Sequence, residues 1–236
     1  MRCYVKSTVL ALALGMAMLL GGCATTAGNK DPMEGFNRTM FAFNEGLDAA
    51  IIRPVAKGYE FVAPAFVRTA VTNFFSNVAD VFIAVNNLLQ GKPVEAASDA
   101  GRFLVNSTVG IFGLLDVATE WGLEKHDEDF GQTFGRWGMD TGAYLFLPVF
   151  GPRDVRDGIG LVFDIAADPL VNINDMSVRN SLAALYIINN RAMLLPADKI
   201  IDEAALDKYS YLRDAYLQRR RSLVFDGRPP KDPEFE

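Results

Sequence analysis

The side chain with the clearest chemistry is Cys23, at the end of the run Leu20-Gly21-Gly22-Cys23. Arg2 and Lys6 precede an apolar stretch from Val9 to Leu20. That stretch is too short for the roughly 20 helical residues that span a bilayer, so it reads as an export signal. Gly21 and Gly22 let an extended backbone enter a lipoprotein signal peptidase, and Cys23 carries the diacylglyceryl group and becomes the first mature residue. Each buried methylene contributes about 0.8 kcal/mol and a single acyl chain binds only marginally, so a diacylglyceryl group plus an N-acyl chain anchors durably. Ala24 follows the cysteine where bacteria of the enteric type often use Asp to hold a lipoprotein at the inner membrane. This points to the periplasmic face of the outer membrane.

Catalysis has little else to use. His126 is the single histidine, inside Glu124-Lys125-His126-Asp127-Glu128-Asp129, which reads as a solvated turn. A metal there would need carboxylates from elsewhere, and a histidine-based hydrolase would need Ser and Asp partners that spacing does not place. The chain has no Gly-x-Ser-x-Gly elbow and no glycine-rich phosphate loop after a strand. Cys3 leaves with the signal and Cys23 is acylated, so no free thiol and no disulfide remain. We expect no catalytic residue, no metal and no cofactor. Removing residues 1–22 takes Arg2 and Lys6 from 23 basic residues and nothing from 29 acidic ones, which leaves a mature net charge of −8. Nucleic acid is excluded as a partner on that charge.

The elements that carry these residues are helical. Residues 1–22 form the signal, 23–30 the acylated terminus and a short polar linker, 31–226 one helical domain, and 227–236 a tail of Gly, Pro and charge too poor in apolar residues to order. Asp31-Pro32-Met33-Glu34 predicts a helix start, with a cap, a proline at the first position and an acid three residues after the cap. Met33, Phe36, Met40, Phe43 and Leu47 follow at helical spacing, with Phe41 beside them. That stripe either faces a core or, so close to the anchor, meets acyl chains or a partner; Phe36, Met40, Phe43 and Leu47 are the candidate lipid-facing residues.

A second helix is predicted from Pro64 to Gln90, along the stripe Val67, Val71, Phe74, Val78, Phe82, Val85 and Leu89, with Ser76-Asn77 its expected interruption. Further helices are predicted from Pro93 to about Asn106, Val155 to Phe163, Val178 to Leu195, Ile200 to Leu206 and Tyr209 to Leu223. No useful strand alternation and no internal repeat is visible, so the class is all-α.

The middle of the chain differs. Residues 101–160 hold eleven of the twenty glycines, interleaved with large apolar residues. Glycine at that density disfavours long helices and permits close backbone approach. Turns between short helices would explain it. So would a moving part that meets lipid, with Gly110 and Gly113, or Gly142 and the turn from Pro148 through Gly151, as hinges.

A series of segments then resembles one family. Asp31-Pro32-Met33-Glu34-Gly35-Phe36-Asn37-Arg38, Phe41-Ala42-Phe43-Asn44, Arg53-Pro54-Val55-Ala56, Asn73-Phe74-Phe75-Ser76-Asn77, Leu88-Leu89-Gln90-Gly91 and Arg102-Phe103-Leu104-Val105-Asn106 come first. Asp129-Phe130-Gly131-Gln132-Thr133-Phe134-Gly135, Tyr144 to Pro152, Arg153 to Gly158 and Asp168-Pro169 complete it. The order and content resemble the MlaA (VacJ) family of outer-membrane lipoproteins, over roughly Asp31 to Phe225. Asp80-Val81 departs from the Asp-Pro common in the family.

The resemblance implies a ring-like single domain of amphipathic helices in the periplasmic leaflet of the outer membrane. It implies an amphipathic channel through which phospholipid misplaced in the outer leaflet passes toward the periplasm, a trimeric porin beside it, and a soluble periplasmic lipid-carrier protein that takes the lipid on. Such a conduit needs no nucleophile. It needs a polar path for the headgroup, apolar surroundings for the tails and amphipathic helices at the interface. A lipid-anchored scaffold that binds a porin without lipid flux, and an acyl-chain hydrolase or acyltransferase, are the alternatives.

Overall fold

The computed structural model describes residues 31–230, except the side chains at 199, 200, 202 and 204. Cys23 and the residues read as signal and linker lie outside the described residues, as does the tail from residue 231.

Helix α1 (Glu34–Leu47) begins two residues later than the capping pattern predicts, and no side chain caps it. Asp31 is instead buried, where its carboxylate accepts from Asn37 Nδ2 at 2.7 Å and from the Tyr209 hydroxyl. A tertiary partner has displaced the local cap. A π-helical turn, Asp48–Ile52, leads without a break into α2 (Arg53–Val62), whose Pro54 has no N–H to donate back into the preceding turn.

Helix α3 (Ala65–Leu89) runs without the break predicted at Ser76-Asn77. The Asn77 side chain does not compete for its own backbone; its Nδ2 donates to Ser107 Oγ at 2.9 Å on α4 (Pro93–Thr108), the antiparallel neighbour of α3. Short α5 (Val117–Glu120) and α6 (Phe130–Arg136) follow, capped by Asp116 and Asp129. α7 (Val155–Ala167) is capped by Asp154, and α9 (Lys208–Val224) by Asp207.

The helices predicted from Val178 to Leu195 and from Ile200 to Leu206 merge into one, α8 (Met176–Ala204), with Pro196 inside it. The proline forfeits a backbone bond, but Arg191 and Asp198 bridge its two sides at 2.7 Å; Arg191 Nε also reaches Asp48 of the π-helical turn at 2.7 Å, and Asp198 lies 3.8 Å from Arg53, the first residue of α2. Both flanks are thereby held to one surface.

The fold is all-α with one addition that the sequence reading lacks, an antiparallel hairpin of β1 (Tyr144–Leu147) and β2 (Gly151–Asp154), in which Tyr144 pairs with Asp154 and Leu147 with Gly151. A lone two-stranded hairpin is marginal in water. Here α1 supplies the missing neighbour. Asn37 Nδ2 donates to Tyr144 O at 3.0 Å and its Oδ1 accepts from Phe146 N at 2.8 Å; one helical repeat on, Asn44 does the same with Leu147 O and Val149 N. Two asparagines seven residues apart thus grip the strand edge. Behind them Tyr144, Phe146 and Tyr209 form the compact apolar cluster, with Met40 and Phe41 packed on it.

Candidate functional site

The helices are inverted relative to those of a water-soluble domain. α3 buries Asn77, Asp80, Asn86 and Asn87, and α4 buries Asp99, Arg102 and Asn106. On the outside, Phe61 is 92% exposed, Phe112 78% and Phe66 75%, with Leu88, Leu104 and Val162 also exposed. Apolar surface on that scale marks contact with another apolar body. Where that body is hydrocarbon, polar groups must be satisfied inside the protein.

Arg102 shows how this is done. Its side chain is 2% exposed and bonds Asp116 through both carboxylate oxygens at 2.9 and 3.0 Å, with Thr119 Oγ1 and Leu123 O also accepting. Burial would raise the Asp116 pKa, yet hydrogen bonds from Thr119, Asn106 and Arg102 outweigh it and hold the carboxyl at about 2. Asp80, fully buried, is bridged by Lys125 and lies 3.6 Å from Arg102 Nε; burial still pushes its pKa up against those two cations. A second ionic cluster joins β2, α6, α7 and α9. There Arg220 bonds Asp129 at 2.6 Å and Asp157 at 2.5 Å, while Tyr216 donates to Asp157 at 2.5 Å.

The segment 124–129 is not the solvated turn that its charge suggests. Lys125 reaches Asp80, His126 Nδ1 lies 3.0 Å from buried Asp99, Glu128 bonds Lys92 at 2.9 Å and Gln90 at 2.7 Å, and Asp129 bonds Arg220. It is a latch between helices. Glu124 and Asp127 stay exposed, the latter paired with Arg219 at 3.1 Å. Among the described residues no group of three or more His, Cys, Asp or Glu is placed to hold a metal.

Between α3 and α8 lies a cavity of about 590 Å³. Phe75, Val78, Phe82 and Ile83 of α3 and Leu182 and Tyr186 of α8 form an apolar wall. Charge enters from one side, with Asp127, Glu128 and Asp129 of the latch, Asp164 and Asp168 at the end of α7, and Arg179 of α8. Burial pushes the Asp164 carboxyl up to about 6, and the neighbouring Asp129 charge adds to the rise. An apolar wall ending in ionic groups is the arrangement an amphiphile requires. Two further cavities, of about 320 and 530 Å³, lie beside the π-helical turn and around Lys92, His126 and Asp226; in the second, Lys92 is paired with both Glu128 and Asp226.

The predicted site residues divide among these features. Phe36 and Phe43 are 45% and 53% exposed, whereas Met40 packs on the tyrosine cluster and Leu47 lines the cavity beside the π-helical turn. Gly110 is enclosed: a Cβ there would stand 2.2 Å from Leu115 O. Gly113 abuts the Asn77 side chain, and Gly142 combines a φ of +71° with Val155 Cβ at 3.0 Å. Pro148 and Gly151 flank the hairpin turn, in which Val149 has a φ of +70°. These glycines have a geometric reason in the resting structure, whatever their motion. The asparagine clamps and the Asp164, Asp168 and Arg179 set were not read from sequence; their one signal was polar residues recurring at helical spacing on helices otherwise rich in large apolar groups.

The family model described as MlaA lipoprotein matches residues 29–223. The chain belongs to the MlaA lipoprotein family. It is 34% identical to the intermembrane phospholipid transport system lipoproteins MlaA of Escherichia coli K12 and Shigella flexneri, in each case over 98% of this chain and 95% of the relative. An uncharacterised protein of Rickettsia felis is 36% identical over 82% of this chain and 78% of its own. Among solved structures, one described as the structural basis for maintenance of bacterial outer membrane lipid asymmetry matches with a TM-score of 0.72 at 34% identity, covering 82% of this chain and 98% of that one. The helical MlaA fold therefore holds across relatives that differ at two positions in three. Among the described residues no helix is long and apolar enough to cross a membrane.

Proposed function

We propose that this MlaA family member is anchored through Cys23 to the periplasmic face of the outer membrane and takes misplaced phospholipids out of the outer leaflet. They pass through the α3–α8 cavity toward the periplasm, where a periplasmic lipid-carrier protein receives them and a trimeric porin holds the domain in place. The observation that carries this reading is the pairing of an apolar exterior with an interior cavity that has an apolar wall and a charged end. A conduit of this kind works by solvation alone: it keeps the headgroup among fixed charges while the chains stay against apolar side chains, and no bond is made or broken. Phe36 and Phe43 would face acyl chains. The Gly110–Gly113 loop, Gly142 and the Pro148–Gly151 turn would give way as lipid passes.

The test is outer-leaflet phospholipid in cells that lack the gene, with and without the gene restored. Accumulation in the deletion strain, reversed by the parent chain and not by Cys23→Ser, supports the reading. Unchanged outer-leaflet phospholipid in the deletion strain overturns it and leaves the scaffold.

A further inference from the structure

The charged end of the cavity carries information about its cargo. Of the six charged side chains that line it, three have ionic partners: Asp127 with Arg219, Glu128 with Lys92 and Asp129 with Arg220. Asp164 and Asp168 do not. Each accepts one backbone N–H, from Phe130 at 3.0 Å and Leu170 at 2.8 Å, and among the described residues neither has a cation within 4.0 Å. Four residues apart at the end of α7, they stand about 5–6 Å from each other at Cβ. Arg179, the one cation on the lining, makes a single long contact, 3.5 Å to Ile173 O. The unanswered set is therefore two carboxylates and one guanidinium beside an apolar wall.

We propose that Asp164, Asp168 and Arg179 favour phospholipids whose headgroup carries an ammonium next to its phosphate over those whose headgroup is anionic. Arg179 meets the phosphate and the two carboxylates meet the ammonium, so a zwitterionic headgroup answers all three. An anionic headgroup satisfies Arg179 and leaves two carboxylates uncompensated beside apolar side chains, where like charge and desolvation both act against it. Burial holds the Asp164 carboxyl up at about 6 although Arg220 and Arg153, farther off, act to lower it. This inference rests on the cavity being the lipid path.

The full-length lipidated protein is purified in detergent from membranes that contain both phosphatidylethanolamine and phosphatidylglycerol, and the lipids that come with it are quantified by mass spectrometry. The expected result is a phosphatidylethanolamine to phosphatidylglycerol ratio at least threefold above that of the membrane. The ratio should fall toward the membrane value in Asp164→Asn/Asp168→Asn, and Arg179→Ala should lower capture of both lipids. A second measurement uses the parent protein alone, with micelles of phosphatidylethanolamine or of its N-acylated derivative, which keeps the phosphate and loses the ammonium. Weaker capture of the derivative supports the inference; equal capture overturns it, even where the double variant does not fold. Lipid bound at the membrane ratio overturns the headgroup preference and leaves the conduit standing, whereas no bound lipid at all overturns the conduit itself.

Discussion

The hairpin clamp and the α3–α8 cavity both surround polar side chains with apolar ones, and they treat them in opposite ways. Around the hairpin, Asn37 and Asn44 answer β1 atom for atom, Tyr209 answers Asp31, and Tyr216 and Arg220 answer Asp157, although the Tyr144 hydroxyl itself has no hydrogen-bond partner. In the cavity, Asp164, Asp168 and Arg179 keep only backbone contacts. A polar group with a full set of partners contributes stability. One held partly buried without an ionic partner costs stability and is explained by what binds there. The difference separates the parts of the molecule that hold its shape from the part that handles a ligand.

That contrast can be broken at several points. Removing Arg102 takes a cation from fully buried Asp80 and both guanidinium bonds from half-buried Asp116, so Arg102→Leu should destabilise by about 3–5 kcal/mol. Thermal unfolding in detergent, followed by circular dichroism, reads this directly; a variant that melts like the parent would show that the polar interior is not what holds the helices. Asn37→Ala deprives Tyr144 O and Phe146 N of partners inside the core and should cost about 2–3 kcal/mol, and Asn44→Ala about 1 kcal/mol because Val149 lies nearer solvent. Equal losses at the two positions would mean that the clamp is not graded by burial.

Asp164 should behave in the opposite sense. Its folded pKa of about 6 lies above the ordinary 3.8, so the stability associated with its neutral form is fully present below about pH 4 and is lost as pH rises through 6. Asp164→Asn should therefore be as stable as the parent or more so at pH 7, by on the order of 1–3 kcal/mol, with a flatter pH profile between 4 and 6. A loss of stability at pH 7 would move Asp164 into the structural class. The smallest effect on folding belongs to Phe43→Asp, which should melt within about 0.5 kcal/mol of the parent because Phe43 is exposed. Its effect should fall on complementation of a deletion strain, since a charge placed against hydrocarbon costs several kcal/mol; full complementation would remove this face from the lipid contact.

Much of the secondary structure was legible. Periodicity located α3, α4 and α9, whereas the acidic caps Asp129, Asp154 and Asp207 came only with the structure. What was hidden follows from one assumption, that apolar stripes face inward. On α3 the same stripe contributes Val78 and Phe82 to a cavity wall while Val85 and Leu89 face outward. The hairpin was hidden for another reason. Tyr144-Leu145-Phe146-Leu147 is apolar on both faces and Gly151-Pro152 argues against a strand, so the structure depends on asparagines more than a hundred residues away. The Asp164 and Asp168 pair was visible as two acids and could not be told from solvated ones until their partners were known to be absent.

The clamp also has a consequence in time. The bond from Asn37 to Tyr144 spans 107 residues and that from Tyr209 to Asp31 spans 178, so the first helix of the domain finds its final partners only after most of the chain has been made and delivered. Contacts of such sequence separation form late, because a long loop must close before they yield any return. Until then the side chains of Asn37 and Asn44 on α1 have water as their hydrogen-bond partner. The asparagines that finish the strand edge are, earlier in the life of the molecule, polar points on a helix that has not yet found its strand.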